Sequence, residues 1–207
     1  MKRMIELILL LCAALFIMCT DNKLVDGGSS SEVIATVDGR VLAKDGKAGE
    51  GIQVMLMPSA YNPLTGTGAK VYQSETDTDG FYSFDSIVKG SYNLFARNLF
   101  DLTRVLDLGI TVKTERLMIK DNYLEMPASV TVALPESIDT SDGYVVLEGT
   151  PLYWPVRKIT EMSDGSRAIT LDSLPAGEIG ALKYIELHGE DEYTIASSSI
   201  TKENDTV

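Results

Sequence analysis

Apolar and polar side chains alternate over several short runs in the chain from residue 33 onward. The clearest runs cover residues 33–37, 52–57, 82–85 and 92–96. A period of two is typical of a strand that has one face against a core and one face towards water. No run shows a convincing helical period. The pattern therefore predicts half-buried antiparallel strands.

Glycine-containing dipeptides separate these runs and are typical of turns. They are Asp38-Gly39, Asp45-Gly46, Asp79-Gly80 and Lys89-Gly90. Glycine adopts positive φ without steric cost, and short strands at this spacing favour a β-sandwich. Residues 104–112 and 117–119 are predicted to supply the last strands of the first domain.

Residues 76–96, TDTDGFYSFDSIVKGSYNLFA, carry the most specific motif. They combine a TD-containing turn, a glycine, alternating aromatic residues and a glycine-tyrosine turn and strand. With Gly39-Arg40-Val41 and residues 51–56, this segment resembles the carboxypeptidase regulatory-like domains, which have a transthyretin-like fold. It departs from that family at Val88 and Ala48-Gly49. The resemblance covers about residues 33–96, and it implies a seven-stranded β-sandwich with a non-catalytic accessory role.

The second half of the chain looks like a divergent copy of the first. Asp164-Gly165 matches Asp79-Gly80, and Asp172-Ser173 matches Asp85-Ser86. The two motifs are two residues further apart in the second half than in the first. Residues 130–134 and 143–147 are further strand candidates. The predicted fold class is therefore all-β, with two tandem transthyretin-like or Ig-like antiparallel β-sandwich domains at 33–124 and 125–200. A disordered tail is predicted at 201–207, and one fused sandwich is the alternative.

The first residues have the features of an export signal. Lys2 and Arg3 precede an apolar run over residues 7–18, which is too short to span a bilayer. Cys19 follows at the change from apolar to polar sequence. This arrangement resembles a bacterial lipoprotein signal, although Phe16 and Met18 depart from its usual residues.

That resemblance implies cleavage after residue 18 and lipidation of Cys19, with residues 19–32 as a flexible tether. It places the protein in the cell envelope, facing the periplasm or the surface. Thr20 after the cysteine favours the outer membrane. An ordinary secretory signal is the alternative.

The net charge of −12 changes which partners are expected. Nucleic acids and polybasic contacts with a membrane surface both require clustered Lys and Arg, so neither is predicted. The predicted partners are the membrane, through the lipid anchor, and a polysaccharide or another envelope protein. Cys12 and Cys19 are the two cysteines, which leaves no disulfide for the domains.

Candidate catalytic and metal-binding residues are few. His188 is the one histidine and lies in an acidic stretch, where a solvated loop residue is favoured over a catalytic base. Zinc chemistry needs more His or Cys ligands than the chain has, and no cofactor is predicted. Asp77 and Asp79 form a weak calcium candidate, but a turn role is favoured. A hydrolase that uses two carboxylates is the least favoured function.

Tyr153-Trp154 is the aromatic pair of most interest. Exposed coplanar rings at these positions would support a carbohydrate-binding module, whereas a tryptophan more often packs in a core or an interface. The favoured function is a non-catalytic, membrane-anchored lipoprotein with a structural or binding role. Carbohydrate binding through Tyr153 and Trp154 is the second hypothesis.

Overall fold

The computed structural model describes residues 34–66, 69–136, 138, 142–156, 159–186, 192–200 and 205–206. The regular elements in these residues are strands, and they form four sheets of four strands each. The predicted all-β sandwich class is confirmed. A search of the described residues for an apolar helix long enough to cross a membrane finds none.

The first sandwich is built from two sheets that enclose one apolar core. The strand order is β3-β2-β5-β6 in one sheet and β4-β1-β7 in the other, where β8 also pairs with β1. β1 pairs antiparallel with β4 but parallel with β7 and β8. The strands are β1 (Ile34–Leu42), β2 (Gln53–Pro58), β3 (Tyr72–Glu75), β4 (Phe81–Val88), β5 (Gly90–Arg97), β6 (Arg104–Val112), β7 (Arg116–Met118) and β8 (Asn122–Tyr123).

The second sandwich repeats this arrangement around its own core. Its sheets have the strand orders β11-β10-β14-β15 and β12-β13-β9-β16. The strands are β9 (Ala128–Leu134), β10 (Gly143–Leu147), β11 (Tyr153–Pro155), β12 (Ile159–Glu161), β13 (Arg167–Leu174), β14 (Gly177–Glu186), β15 (Glu192–Ile200) and β16 (Asp205–Thr206).

The two sandwiches are topological copies of each other. β9, β10 and β11 take the places of β1, β2 and β3, while β13, β14 and β15 take those of β4, β5 and β6. β16 pairs parallel with β9, as β7 does with β1. β12 has no counterpart among the described residues of the first sandwich, and it extends a sheet edge through a hairpin with β13. The internal repeat seen in the sequence therefore reflects a repeat of topology.

The repeated Asp-Ser motif forms an equivalent β-bulge in each sandwich. Asp85-Ser86 lies opposite Thr36, and Asp172-Ser173 lies opposite Ser129. The Thr36 hydroxyl donates to Asp85 Oδ1 at 3.2 Å, and the Ser129 hydroxyl donates to Asp172 Oδ1 at 3.0 Å. Because two residues of one strand lie opposite a single residue of its partner, the bulge increases the local twist of the sheet. The motif is therefore a structural device that both halves share.

The middle of the outer face of β2 and β5 is buried, although the sequence predicted half-buried strands. Met55, Met57 and Phe95 point away from the first core and form a separate cluster, to which Leu106 and Leu152 contribute. Leu152 comes from the second sandwich, and it packs against the second core as well. The prediction of one wet face is wrong for these strands, because the neighbouring sandwich replaces water.

Polar contacts fix the two sandwiches to each other at the edges of this cluster. The amide of Asn93 donates to the carbonyl of Gly149 at 3.3 Å, and the Gly149 N–H donates to the carbonyl of Tyr61 at 2.9 Å. Arg104 Nη1 donates to the carbonyl of Ser173 at 2.5 Å. Residues from Val33 to Val207 accordingly form one compact unit. The boundary between domains at residue 125 remains a proposal.

Gly39 was predicted to mark a turn, and this prediction is wrong. β1 continues through Gly39, which pairs with Tyr82 on β4. A Cβ atom at Gly39 would lie 2.1 Å from the hydroxyl oxygen of Tyr82. Glycine is required here because the tyrosine ring crosses the backbone, and not because the chain reverses direction.

Candidate functional site

Tyr153 and Trp154 are neighbours on β11, and their side chains lie on opposite faces of the sheet. Tyr153 pairs with Val146 on the outer face and is 50% exposed. Its ring meets that of Tyr144 edge to face, with the centroids 5.8 Å apart. Trp154 pairs with Val145 and packs against the core of the second sandwich.

The indole of Trp154 is engaged in the fold. Its Nε1–H donates to the carbonyl of Asp172, in the bulge of β13, at 2.9 Å. Since successive residues of a strand point in opposite directions, the two rings do not form one coplanar platform. Tyr153 alone remains available to a ligand from this pair.

Asp77 organises the turn between β3 and β4. Its Oδ1 accepts hydrogen bonds from the backbone N–H groups of Asp79 and Phe81, each at 2.9 Å. Gly80 adopts φ of +81°. The carbonyl of Asp79 accepts a 2.8 Å hydrogen bond from Arg40 Nε. These contacts are those of an Asx-type turn, which uses Asp77 for backbone geometry.

The described residues show no arrangement typical of a metal site. No set of three or more His, Cys, Asp or Glu side chains there is arranged to hold a metal ion. Cys19 and His188 lie outside the described residues, so their roles remain as predicted from the sequence.

Two glutamates come together on the second sandwich, Glu148 just after β10 and Glu192 at the start of β15, but Lys183 of β14 lies between them. Lys183 Nζ is 2.6 Å from a carboxylate oxygen of Glu148 and 2.5 Å from one of Glu192. These contacts raise the pKa of Lys183, first through the hydrogen bond to Glu148 and then through that to Glu192. This arrangement is an ion-pair network, which ties β14 to β15 and to the residue that follows β10.

An open cleft of about 460 Å³ lies on the outer face of the first sandwich, beyond the part that the second sandwich covers. Its floor is formed by Gln53 of β2 and by Gln73 and Glu75 of β3, and its wall is formed by Leu99 and Phe100. The wall belongs to the β5–β6 connection, residues 98–103, which we call the hairpin tip. This cleft was not predicted from the sequence.

The hairpin tip exposes large apolar side chains. Phe100 is 93% exposed, Leu99 58% and Leu102 57%. Leu102 also adopts φ of +65°, a conformation that costs a bulky residue about 1–2 kcal/mol. Exposed apolar side chains combined with backbone strain are typical of loops that bind a ligand or a partner protein.

Hydrogen bonds hold the hairpin tip in one conformation. Asn98 Oδ1 accepts from the Phe100 N–H, and Asp101 Oδ1 accepts from the Thr103 N–H, both at 2.9 Å. Arg104 Nε and Nη2 donate to the carbonyl of Leu102 at 3.2 and 3.1 Å. The apolar side chains are therefore presented on a fixed backbone. The turn-forming residues Asn98 and Asp101 were the one signal in the sequence for this loop.

Comparison with known proteins shows no matching family model and no matching curated protein. The resemblance to carboxypeptidase regulatory-like domains therefore remains a prediction. Solved structures show a weak similarity to this chain, with TM-scores below 0.5.

Three solved structures illustrate that likeness. The major pilin SpaD of Corynebacterium diphtheriae has 8% identity and a TM-score of 0.35, over 77% of this chain and 64% of the pilin. A Pseudomonas aeruginosa protein provisionally described as carbohydrate-binding has 16% identity and a TM-score of 0.31, over 42% of this chain and 88% of that protein. A provisionally assigned adhesin of Bacteroides ovatus has 13% identity and a TM-score of 0.33, over 84% and 89%. At these values the similarity carries no conclusion about this chain, whose fold is given by its own strand topology.

Proposed function

We propose that this protein is a non-catalytic binding module of the bacterial cell envelope, exported by its N-terminal signal and anchored through a lipidated Cys19. The observation that carries the binding role is the hairpin tip, which exposes Leu99, Phe100 and Leu102 on a hydrogen-bonded backbone. Binding residues are commonly found on loops that a rigid scaffold positions. The docked pair of sandwiches is such a scaffold.

The direction of the chain supports this arrangement. β1 begins at Ile34, which pairs with Val88 at the end of the sandwich where β4 turns into β5. The hairpin tip follows Arg97, at the opposite end of β5. The first residue of β1 and the hairpin tip therefore lie at opposite ends of the first sandwich. The outer membrane is the proposed site of anchorage.

Photocrosslinking in intact cells tests the binding role. A photoreactive amino acid is placed at position 100 and, as a control, at Met118, which is 61% exposed on β7 of the other sheet. We expect an envelope component to be crosslinked at position 100 but not at position 118. Identical adducts at both positions, or none at either, would contradict a binding role for the hairpin tip.

Fatty-acid labelling tests the anchor separately. The wild type should incorporate an alkynyl fatty acid and fractionate with membranes, whereas Cys19→Ala should do neither. Equal labelling of the two proteins would show that Cys19 is not the lipidated residue. The protein would then be exported in another form.

A further inference from the structure

The cleft beside the hairpin tip has the composition of a site for a polar, hydroxyl-rich ligand. Its volume of about 460 Å³ lies within the range of small-ligand sites, roughly 300–1,000 Å³. The floor carries two side-chain amides and one carboxylate, and the wall carries one aromatic ring and one leucine. Polar groups facing an apolar wall suit a ligand that has both hydroxyl groups and an apolar face.

The polar groups of the floor are already in position. Arg97 Nε donates to Gln53 Oε1 at 2.8 Å, so the amide NH₂ of Gln53 is the group left to donate. Gln53 pairs with both Glu75 and Arg97 across the sheet, which places the three side chains on one face. A ligand hydroxyl can both donate and accept, so it can satisfy Gln53 and Glu75 together.

The cleft lies over the face of the sheet, so side chains and not strand backbone line it. β2 is hydrogen-bonded to β3 on one side and to β5 on the other. β3 is the edge strand of this sheet, and a peptide strand added to it would lie beside the sheet and not over its face. A ligand in the cleft lies over the face, where it meets the side chains of Gln53, Gln73 and Glu75. Recognition by side chains alone favours a glycan over an extended peptide.

Charge further limits the kind of glycan. Glu75 and Arg97 flank Gln53 on its two sides, so this face of the sheet carries one carboxylate and one guanidinium around the floor. The whole chain carries a net charge of −12, which repels anionic polymers. A neutral glycan avoids that repulsion.

We infer that the cleft between β3 and the hairpin tip is a binding site for a neutral polysaccharide, in which Phe100 packs against the apolar face of a sugar and Gln53, Gln73 and Glu75 bind its hydroxyl groups. This inference rests on the proposed binding function and names its site and ligand class. It differs from the site predicted at Tyr153 and Trp154, whose rings face opposite ways.

Affinity electrophoresis tests the site with the full protein as the cell exports it. The gels contain xyloglucan, galactomannan, mixed-linkage β-glucan or dextran as neutral probes, and alginate or polygalacturonate as acidic probes. We expect at least one neutral probe, and neither acidic probe, to retard the wild type. Phe100→Ala should weaken that binding roughly tenfold, while Phe100→Trp should retain it. Gln73→Ala should weaken binding, because it removes a floor amide.

Tyr153→Ala is the matched control, since it removes another exposed aromatic ring. Unchanged binding by this variant is expected. Loss of binding in Tyr153→Ala but not in Phe100→Ala would overturn the site. Absence of retardation by every neutral probe would overturn the ligand class. If photocrosslinking at position 100 still captured an envelope protein, the proposed binding function would stand and the glycan inference alone would fail.

Discussion

Ser86 and Ser173 adopt left-handed backbone conformations, with φ of 60° and 64°. Such values cost a non-glycine residue about 1–2 kcal/mol. Each bulge returns the next apolar residue to a core, and both Ile87 and Leu174 are fully buried. In each bulge, the burial of the apolar residue therefore offsets the backbone strain at the serine before it.

The effect of a substitution at Ser86 on stability should depend on how readily the new residue adopts positive φ. Ser86→Val should lower the free energy of unfolding by roughly 1–2 kcal/mol, because a β-branched residue disfavours positive φ. Ser86→Gly should change it by less than about 0.5 kcal/mol, since relief of strain offsets the greater flexibility of the unfolded chain. Ser91→Val, at an exposed strand position, is the control, and urea denaturation measures all three. Equal losses for Ser86→Val and Ser91→Val would contradict the argument.

Buried tyrosines should make the protein sensitive to alkaline pH. Burial raises the pKa of Tyr92 to about 12, and its hydroxyl donates to the Val88 carbonyl at 2.7 Å. Burial likewise raises the pKa of Tyr82. The unfolded chain releases these protons near pH 10, so the stabilisation is complete below that pH and is lost as the pH rises towards 12.

The double variant Tyr82→Phe/Tyr92→Phe tests this dependence. Its free energy of unfolding should fall less between pH 10 and about 12 than that of the wild type, because phenylalanine does not titrate. Denaturation at constant ionic strength over this range provides the measurement. Parallel curves for the two proteins would show that other groups govern the alkaline transition.

The positions of the strands could be predicted from the local sequence pattern, but the burial of their outer faces could not. The predicted strand candidates at 104–112 and 143–147 coincide with β6 and β10. Alternation and turn chemistry are local properties, so a single sequence contains them. The burial of Met55 and Phe95 on the outer face depends on Leu152, which is far along the chain, and no local pattern reports such a contact.

In the candidate site, too, some features could be predicted from the sequence and others could not. The opposite orientation of Tyr153 and Trp154 follows from strand periodicity, so the sequence already contained that information. The exposure of Phe100 could not be predicted from the sequence, because an apolar residue that closely follows a strand in the sequence resembles a core residue. Only the hairpin geometry, with turn bonds from Asn98 and Asp101, places it in water.

Thr76 joins the start of β2 to the end of β3. It is 4% exposed, and its hydroxyl accepts from the Ile52 N–H at 2.8 Å while donating to the carbonyl of Gly49. Thr76→Val keeps the shape but leaves both backbone groups without their partner. The free energy of unfolding should fall by about 1–3 kcal/mol in thermal or urea denaturation. Thr111→Val, on an exposed position of β6, should have little effect, and a similar loss there would refute the claim.

At the scale of the molecule, two similar sandwiches behave as one unit because their contact is both apolar and hydrogen-bonded. Phe95 and Met57 are fully buried in that contact, although both lie outside the two main cores. Burial of this kind resembles a domain core more than a transient surface. We therefore expect a single cooperative unfolding transition for residues 33–207.

Gly149 is the residue through which that cooperativity can be tested. It adopts φ of +70°, and a Cβ atom there would lie 2.1 Å from Asn93 Nδ2 and 2.6 Å from the carbonyl oxygen of Ser59. Gly149→Ala should therefore separate the sandwiches, lower the stability by roughly 1–3 kcal/mol beyond the backbone strain, and split the calorimetric transition in two.

Gly165→Ala separates the two causes. Gly165 has φ of +82°, but a Cβ atom there would meet nothing within 4 Å, so the substitution adds the strain of positive φ without a clash. It should lower the melting temperature modestly and keep one transition. Because both substitutions have the same backbone cost, the difference between them measures the contact between the sandwiches. Equal stability and a single transition in both variants would mean that the sandwiches do not depend on each other.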